Sequence, residues 1–471
     1  MKKYTRKDFL QIASLANIAL FAKPLNSLTQ PSSPKHSENV LYYTKKDTEF
    51  DALRKGFNKR IEKFPAVIAV CKNANGVSEA VKFAIANKWP ITIKSGGHSM
   101  EGFSVNDGGM VINLSLLNTI EWLDNNTINI GPACHLKDLY AEIIPKGKIL
   151  PGGSCGSVAI GGLTLGGGYG LLSRQFGLTC DSLLEVTMVD GNGNIVNSAS
   201  EKDLLWACKG GGNGNFGVIT NLKFALHKAP AIMQSWRFKA FKTDIARAKQ
   251  IFEKWFALTE NLPNECFSAC LQNRQTTYIL LTSTNPSTKN IDQLIKTLSS
   301  LVDKTTHTQQ QPLALALKTY YAEDHPISFK NASAGLYKSF ADINGCIENV
   351  LGVVQNTSGM IYQVNKLGGN IQNQEFEKNA CFAHRGCTYF SELQTYWETT
   401  PQGNKLMQTF ETVQQIFAKN GMLPQYCNYP DINFKQWQTA YYGNNYAALQ
   451  RIKSKYDANN NIRSPQSVKP A

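Results

Sequence analysis

From about residue 64 onward, short apolar runs alternate with stretches of helical spacing. Residues 66–71 read as a buried strand, residues 77–87 carry apolar side chains at helical intervals, and residues 91–94 read as a second strand running into a glycine turn. Strands are also predicted at 110–114, 127–130 and 184–190. Asp190-Gly191-Asn192-Gly193, lying between two apolar runs, predicts a hairpin because those residues tolerate positive φ. After Pro230 longer helical stretches take over, at 244–258 and 291–302, with strands predicted at 277–282 and 388–396. A helix at 405–420, a tyrosine-rich segment at 426–431 and a basic helix at 445–456 close the chain, and no fixed-period repeat is present.

These changes divide the chain into a leader at 1–25, a linker and lead-in at 26–60, a first α+β domain at 61–230, a second domain at 231–400, and a C-terminal segment at 401–471. With 471 residues, 42% hydrophobic and 18% charged, the composition is globular and excludes a disordered chain. No run of eighteen apolar residues exists, which excludes a multi-pass membrane protein. The net charge of +14 invites a nucleic-acid reading, but the basic residues are scattered singly, so no nucleic-acid partner is expected. Part of the excess sits at the N-terminus, where a basic start precedes an apolar stretch from residue 9 to 22. That pattern predicts an export signal, and no stable membrane insertion after its removal. Thr5-Arg6-Lys7-Asp8-Phe9-Leu10 resembles a twin-arginine signal with Lys7 at the second arginine, so a periplasmic or secreted location is expected. The eleven cysteines include no CxxC and predict no metal site; in an exported chain one or two disulfides would be expected.

Gly212-Asn213-Gly214-Asn215-Phe216-Gly217 satisfies the dinucleotide pattern GxGxxG, but it follows a helix and precedes a strand, the reverse of what that site requires. The stronger signal is a pair of glycine-rich segments. Lys94-Ser95-Gly96-Gly97-His98-Ser99 follows a strand, and Pro151-Gly152-Gly153-Ser154-Cys155-Gly156-Ser157-Val158 runs into a second glycine cluster at 161–170. Such density lets the main chain approach a ligand and aim several N–H groups at it, as a pyrophosphate would need. Each segment also carries one nucleophilic side chain, His98 and Cys155.

Together with the later Gly-Gly-x-Gly-x-Phe-Gly-Val, Tyr426-Cys427-Asn428-Tyr429-Pro430-Asp431, Tyr441-Tyr442-Gly443 and Pro465-Gln466-Ser467, these segments resemble flavoproteins of the vanillyl-alcohol-oxidase (PCMH-type) superfamily. The resemblance is to the berberine-bridge-enzyme and oligosaccharide-oxidase branch and spans about residues 60–230 and 420–468. It implies an α+β architecture: a PCMH-type FAD-binding domain of two α+β subdomains, plus a substrate domain with an antiparallel sheet covered by helices. The C-terminal segment is then expected to return to the FAD domain and complete the active site.

The resemblance further implies FAD held by Lys94, Ser95, Gly96, Gly97, His98 and Ser99 in the first segment. Gly153, Cys155, Val158, Gly161, Gly162, Leu165, Gly168 and Gly170 follow in the second, with Gly217, Val218, Asn428 and Gln466 beyond. His98 and Cys155 stand where this branch often links flavin twice, and both are side chains able to add to an electrophilic ring. Val158 stands where relatives place a residue controlling oxygen access, and its small side chain favours an oxidase. Removing hydride from a carbinol carbon to flavin N5 requires the hydroxyl proton to leave to a base within hydrogen-bond reach. By position that base is Tyr429, with Tyr426 as a substrate or flavin contact and Glu392 as the carboxylate partner on the 388–397 segment. A phenol, with an ordinary pKa of about 10, would need its pKa lowered for this role. Met100 departs from the tyrosine many relatives carry there, which leaves sugar specificity open.

The expected activity is an FAD-dependent oxidase acting on the alcohol group of a sugar, oligosaccharide or secondary metabolite, with molecular oxygen reduced to peroxide. The alternatives are a same-fold dehydrogenase with a quinone-like acceptor, a ring-closing oxidation, or a flavin-binding scaffold without turnover.

Overall fold

The computed structural model describes residues 36–321 and 325–471. The export-signal reading of residues 1–25 lies outside the described residues. Three large sheets follow one another along the chain, beside a two-stranded pairing of residues 148–149 with 227–228. The first contains β1 (Val40–Tyr43), β2 (Val67–Cys71), β3 (Ile91–Lys94) and β4 (Met110–Asn113), in the order β1-β2-β4-β3. β2, β4 and β3 run parallel, and β1 caps the edge antiparallel to β2. β2 is buried along its whole length, as a parallel strand covered on both faces must be. The helix Ala74–Ala86 crosses from β2 to β3, its N-terminus capped by Asn73, whose side chain accepts from the Gly76 N–H at 2.9 Å. Three parallel strands ending on one side create a crevice beyond their carboxyl ends. The Ser95–Ser99 segment begins there, directly after β3.

The second sheet is antiparallel: β5 (Ile120–Asp124), β6 (Thr127–Ile130), β7 (Leu183–Asp190), β8 (Ile195–Asn197) and β9 (Gly217–Ala225), ordered β5-β6-β9-β7-β8. The predicted hairpin joins β7 to β8, with Gly193 at φ +85°. Between β6 and β7 the chain makes a long excursion carrying the second glycine segment and the short helix Ile160–Leu165.

The third sheet is also antiparallel and larger. β10 (Ile232–Ala240), β11 (Cys266–Asn273), β12 (Thr276–Ser283), β13 (Lys304–His307), β14 (Ser328–Tyr337), β15 (Met360–Lys366) and β16 (Tyr389–Trp397) are ordered β13-β10-β12-β11-β15-β16-β14. Helices Ile245–Thr259, Lys289–Ser300, Ile347–Gln355 and Thr400–Lys419 bury Phe252, Trp255, Leu298, Val350, Phe410 and Phe417 in one core with the inner residues of this sheet. Along β15 and β16 the alternate residues turn the other way: Tyr362, Val364 and Leu393 enter that core, whereas Gln363, Asn365 and Glu392 line a cavity.

Two predicted boundaries move. The 26–60 lead-in holds β1 and the helix Phe50–Arg54, because β1 supplies the edge partner that β2 needs. The helix Thr400–Lys419 packs on the third sheet rather than returning to the FAD region, since its apolar stripe belongs to that sheet's core. The return is made by helices Trp437–Tyr442 and Tyr446–Asp457, whose Trp437, Tyr441 and Leu449 join the core of the second sheet.

Arg174 fastens the parts together. Its guanidinium is buried and donates to the carbonyl oxygens of Cys266 (2.9 Å), Pro263 (3.3 Å), Leu262 and Leu367, all from the middle of the chain. No helix among the described residues is long and apolar enough to cross a membrane.

Candidate active site

A cavity of about 880 Å³ lies where the three sheets meet. Both glycine segments, the 426–430 segment and the polar face of the third sheet line it. Close backbone approach brings the segments together. A Cβ on Gly96 would stand 2.7 Å from the Ala159 Cβ, and one on Gly170 would stand 1.8 Å from the Gly152 carbonyl oxygen. Gly153, Gly162 and Gly214 behave differently. A Cβ added there meets nothing nearer than 3.5 Å, so their missing side chains leave room inside the cavity.

His98 stacks on Phe57, with ring centroids 4.2 Å apart. Burial, with His135 nearby, lowers its pKa to about 4, so the imidazole is neutral and its lone pair available at neutral pH. Cys155 opens on the same cavity. All eleven cysteines are thiols, and the disulfides expected of an exported chain are absent among the described residues. The described residues also hold no cluster of metal-ligating side chains.

Glu392 is 6% exposed and held by three amides. Its Oε1 accepts from Gln363 Nε2 and Asn365 Nδ2, each at 3.1 Å, and its Oε2 accepts from Asn331 Nδ2 at 3.1 Å. Burial raises its pKa above the ordinary glutamate range, with the amide donors opposing the shift. Phe390 is the hub of the aromatic wall beside it, meeting Tyr426, Tyr429 and Tyr169 edge-on at 5.4, 5.3 and 5.8 Å.

The two tyrosines of the 426–429 segment are built for different tasks. The Tyr426 hydroxyl accepts from Gly168 N (3.0 Å), Tyr169 N (3.3 Å) and Asn428 Nδ2 (3.1 Å). Its lone pairs are committed to the fold, so it acts as a latch, while the residue also lines the cavity, where a substrate or flavin contact is expected from sequence. The Tyr429 side chain carries no such ties and faces the cavity with Glu392 and Cys155 near it. Burial and the Glu392 carboxylate push its phenol well above the usual tyrosine value, against the expected lowering. Tyr429 is therefore neutral here, and Glu392 is the group beside it with proton-accepting capacity. Replacing Tyr426 with Phe should strand the converging N–H groups, costing about 1–3 kcal/mol of stability in a denaturant titration, while turnover changes less than about tenfold.

Of the predicted cofactor contacts, Ser95, Gly96, Gly97, His98, Ser99, Gly153, Cys155, Val158, Gly161, Gly162, Leu165, Gly170, Gly217, Asn428 and Gln466 line the cavity. Two of these have their side chains committed elsewhere. Asn428 Nδ2 donates to Leu163 O at 2.9 Å and its Oδ1 accepts from Asn213 at 2.8 Å. Gln466 accepts from the Tyr441 hydroxyl at 3.0 Å and donates to Asp431 O at 2.8 Å. Lys94, Gly168 and Val218 stand away from the lining. Lys94 Nζ donates to the carbonyl oxygens of Leu53 (2.6 Å) and Lys55, where burial lowers its pKa to about 8. Gly168 backs onto Tyr426 and Thr179, and Val218 is enclosed within β9 opposite Val189.

Sequence reading missed Asn331, Gln363, Asn365 and Tyr169, which also line the cavity. The Tyr169 hydroxyl is buried without a hydrogen-bond partner. Also missed is a buried ion cluster beneath them. Lys330 Nζ bridges Glu101 Oε1 (2.9 Å) and Asp431 Oδ1 (2.8 Å), and Arg60 completes it on Glu101 Oε2 at 3.0 Å. Burial disfavours the Lys330 charge, but Asp431 and Glu101 outweigh it and hold its pKa above the ordinary lysine value. Glu101 is three residues past His98 and Asp431 two past Tyr429, so one ammonium ties both sides of the site to β14.

The open glycine cradle, a neutral imidazole, a thiol and an orphaned hydroxyl fit a flat, extended cofactor of the FAD kind, and the cavity lies within the ~300–1,000 Å³ usual for such sites. Comparisons with known proteins agree. Residues 65–199 match the FAD binding domain model, and residues 425–469 match the berberine and berberine like model. The chain is 28% identical over 444 residues to the uncharacterized FAD-linked oxidoreductase YgaK of Bacillus subtilis, covering 91% of this chain and 96% of that protein. It is 26% identical over 452 residues to a chitooligosaccharide oxidase of Gibberella zeae, covering 88% and 89%. A solved chitooligosaccharide oxidase structure superimposes with a TM-score of 0.83 at 23% identity, over 92% of this chain and 97% of that one. The chain is thus an FAD-linked oxidoreductase, with an FAD binding domain at residues 65–199 and a berberine-like region at residues 425–469.

Proposed function

We propose that this oxidoreductase is an oxidase of a small-molecule alcohol, such as a sugar, oligosaccharide or secondary metabolite, with FAD joined to the chain through His98 and Cys155. The observation that carries the reading is the convergence of four groups on one cavity, His98, Cys155, Tyr429 and Glu392, with Cys155 and Glu392 both near Tyr429. Bound FAD would take the hydride from the carbinol carbon and deliver two electrons to molecular oxygen as hydrogen peroxide. The chain supplies orientation and a place for the proton. Tyr429, kept neutral, holds the substrate hydroxyl in a hydrogen bond, and Glu392 beside it receives the proton, directly or through the phenol. The aromatic wall around Phe390 keeps water from competing for the carboxylate. We also place the reaction outside the cytoplasm, on the basic-then-apolar pattern of residues 1–25.

The test is mass spectrometry of the denatured protein with mapping of any yellow peptide. A mass increase of one FAD, crosslinked to peptides containing His98 and Cys155, is the expected result; an unmodified mass removes covalent attachment from the reading. Tyr429→Phe should retain flavin yet slow its anaerobic reduction by about 10²–10⁴-fold. Unchanged reduction would take Tyr429 out of the reaction. Peroxide production in air, against reduction of a quinone under nitrogen, separates an oxidase from a dehydrogenase.

A further inference from the structure

We propose that Phe57 is a positioning residue for covalent attachment at His98: its ring clamps the imidazole so that one nitrogen is held ready for the flavin. The inference rests on the His98 and Cys155 linkage proposed above and adds the residue that orients one of its two anchors.

The Phe57 and His98 rings lie face to face, with centroids 4.2 Å apart and planes inclined by 19°. Both residues are half-buried and line the cavity. Main-chain bonds hold the stack in place. Phe57 N donates at 3.0 Å to the carbonyl oxygen of Gly97, the residue before His98, and Phe57 O accepts from Ile327 N at 3.1 Å. A Cβ on Gly56 would stand 2.7 Å from the same Gly97 oxygen, so the 56–57 chain is pressed directly against the segment bearing His98. Phe329 meets the Phe57 ring edge-on at 6.2 Å. The phenyl ring is therefore fixed at its backbone and braced at its side.

A histidine that adds to a carbon must present a lone pair, and a neutral imidazole has one only on the nitrogen without a proton. His98 turns a ring N–H toward the main chain of Ser157, which settles where the proton sits. Phe57 settles the remaining freedom, the tilt of the ring plane, since rotation about χ2 would break both the stack and that hydrogen bond. Ser157 is two residues beyond Cys155, so the same contact sets both anchors in one frame. Attachment joins the lone-pair nitrogen to the 8α-methyl carbon of the flavin. One methyl C–H bond breaks and the ring N–H proton is released. The two electrons left behind pass through the flavin to molecular oxygen, which takes up both protons and leaves as hydrogen peroxide. Such a step depends steeply on orientation, and a misplacement of about 1 Å can cost about 10²-fold.

The test follows both anchors in the same molecules. Full-length protein is harvested at intervals after synthesis is stopped in the producing cells, denatured, and mapped by mass spectrometry for flavin on the His98 and Cys155 peptides. In Phe57→Ala, flavin should appear on His98 at least about tenfold more slowly than in the unmodified chain, with the rate at Cys155 kept within about threefold. Phe57→Tyr, which keeps the flat ring, should restore the His98 rate. Phe57→Leu, which keeps the volume without the flat face, should be slowed at His98 as well, and it carries the test if the Ala variant fails to fold. An unchanged His98 rate in the Ala and Leu variants would overturn the inference while leaving the linkage standing. An equal slowing at both anchors would make Phe57 a packing residue and would also overturn it. An unmodified chain that never carries flavin on His98 would sink the linkage reading and this inference together.

Discussion

Glu392→Gln should lower the rate of substrate-driven flavin reduction by about two to four orders of magnitude, with flavin content unchanged. The substitution keeps the shape of the side chain and removes its capacity to take a proton. It should also remove a limb from the pH profile. Because burial raises the Glu392 pKa, the carboxylate is protonated, and lost as a base, at pH values where an exposed glutamate would still be ionised. The native enzyme should therefore lose kcat/KM as pH falls through that raised value and keep it above, whereas the Gln variant should show a low rate without that acid limb. Stopped-flow reduction across pH 4 to 9, roughly, decides the matter. A Gln variant with the native acid limb intact would assign the limb to another group.

Lys330→Met should be the most damaging substitution outside the cavity lining. It leaves Asp431 and Glu101 buried with one fewer cation between them, and removing one partner of a buried ion pair costs about 3–5 kcal/mol. With an unfolding entropy near 2.1 cal/mol/K per residue, a two-state chain of 471 residues shifts its midpoint by about 1 °C per kcal/mol, so a fall of roughly 3–5 °C is expected. Stability alone would describe a scaffold residue. The pairing also fixes the spacing between the His98 segment and Tyr429, so kcat should fall by more than KM rises. Lys330→Met combined with Asp431→Asn should recover part of the melting temperature, because fewer charges are then left unpaired. Recovery of neither stability nor rate would mean that the cluster is not a coupled unit.

The parts that could be read from sequence are those where one physical requirement dominates. The glycine segments stand out because close approach of Gly170 to Gly152, and of Gly96 to Ala159, admits no side chain. The β7–β8 hairpin stands out because its turn needs positive φ at Gly193. β14 and β15 were not predicted at all. Ten residues of β14 are buried or nearly so, and its run Lys330-Asn331-Ala332-Ser333 mixes a cation, an amide and a hydroxyl into an interior strand. Burial on both faces removes the period-two signal, and polar residues serving the cavity remove the apolar one. The same residues that make the site polar thus hide the strand that bears them. For Tyr426 and Asn428 the places beside the cavity were legible, but the hydrogen bonds that hold them there come from residues 163–169 and 213, distant in sequence.

Arg174 carries a consequence for the exchange of parts between relatives. Its side chain comes from the excursion between β6 and β7, but its acceptors are main-chain oxygens at 262, 263, 266 and 367. Carbonyl oxygens are present whatever the residue, so sequence identity at those positions is free to drift. Backbone position is not, because a guanidinium cannot give up its charge and would be left in apolar surroundings if the carbonyls moved. A chimera that takes residues 36–230 from one member and the rest from another would succeed or fail on the path of the main chain at those four points. Recombination in such a chain is limited by loop geometry, and matching of side chains across the junction is no guide to it.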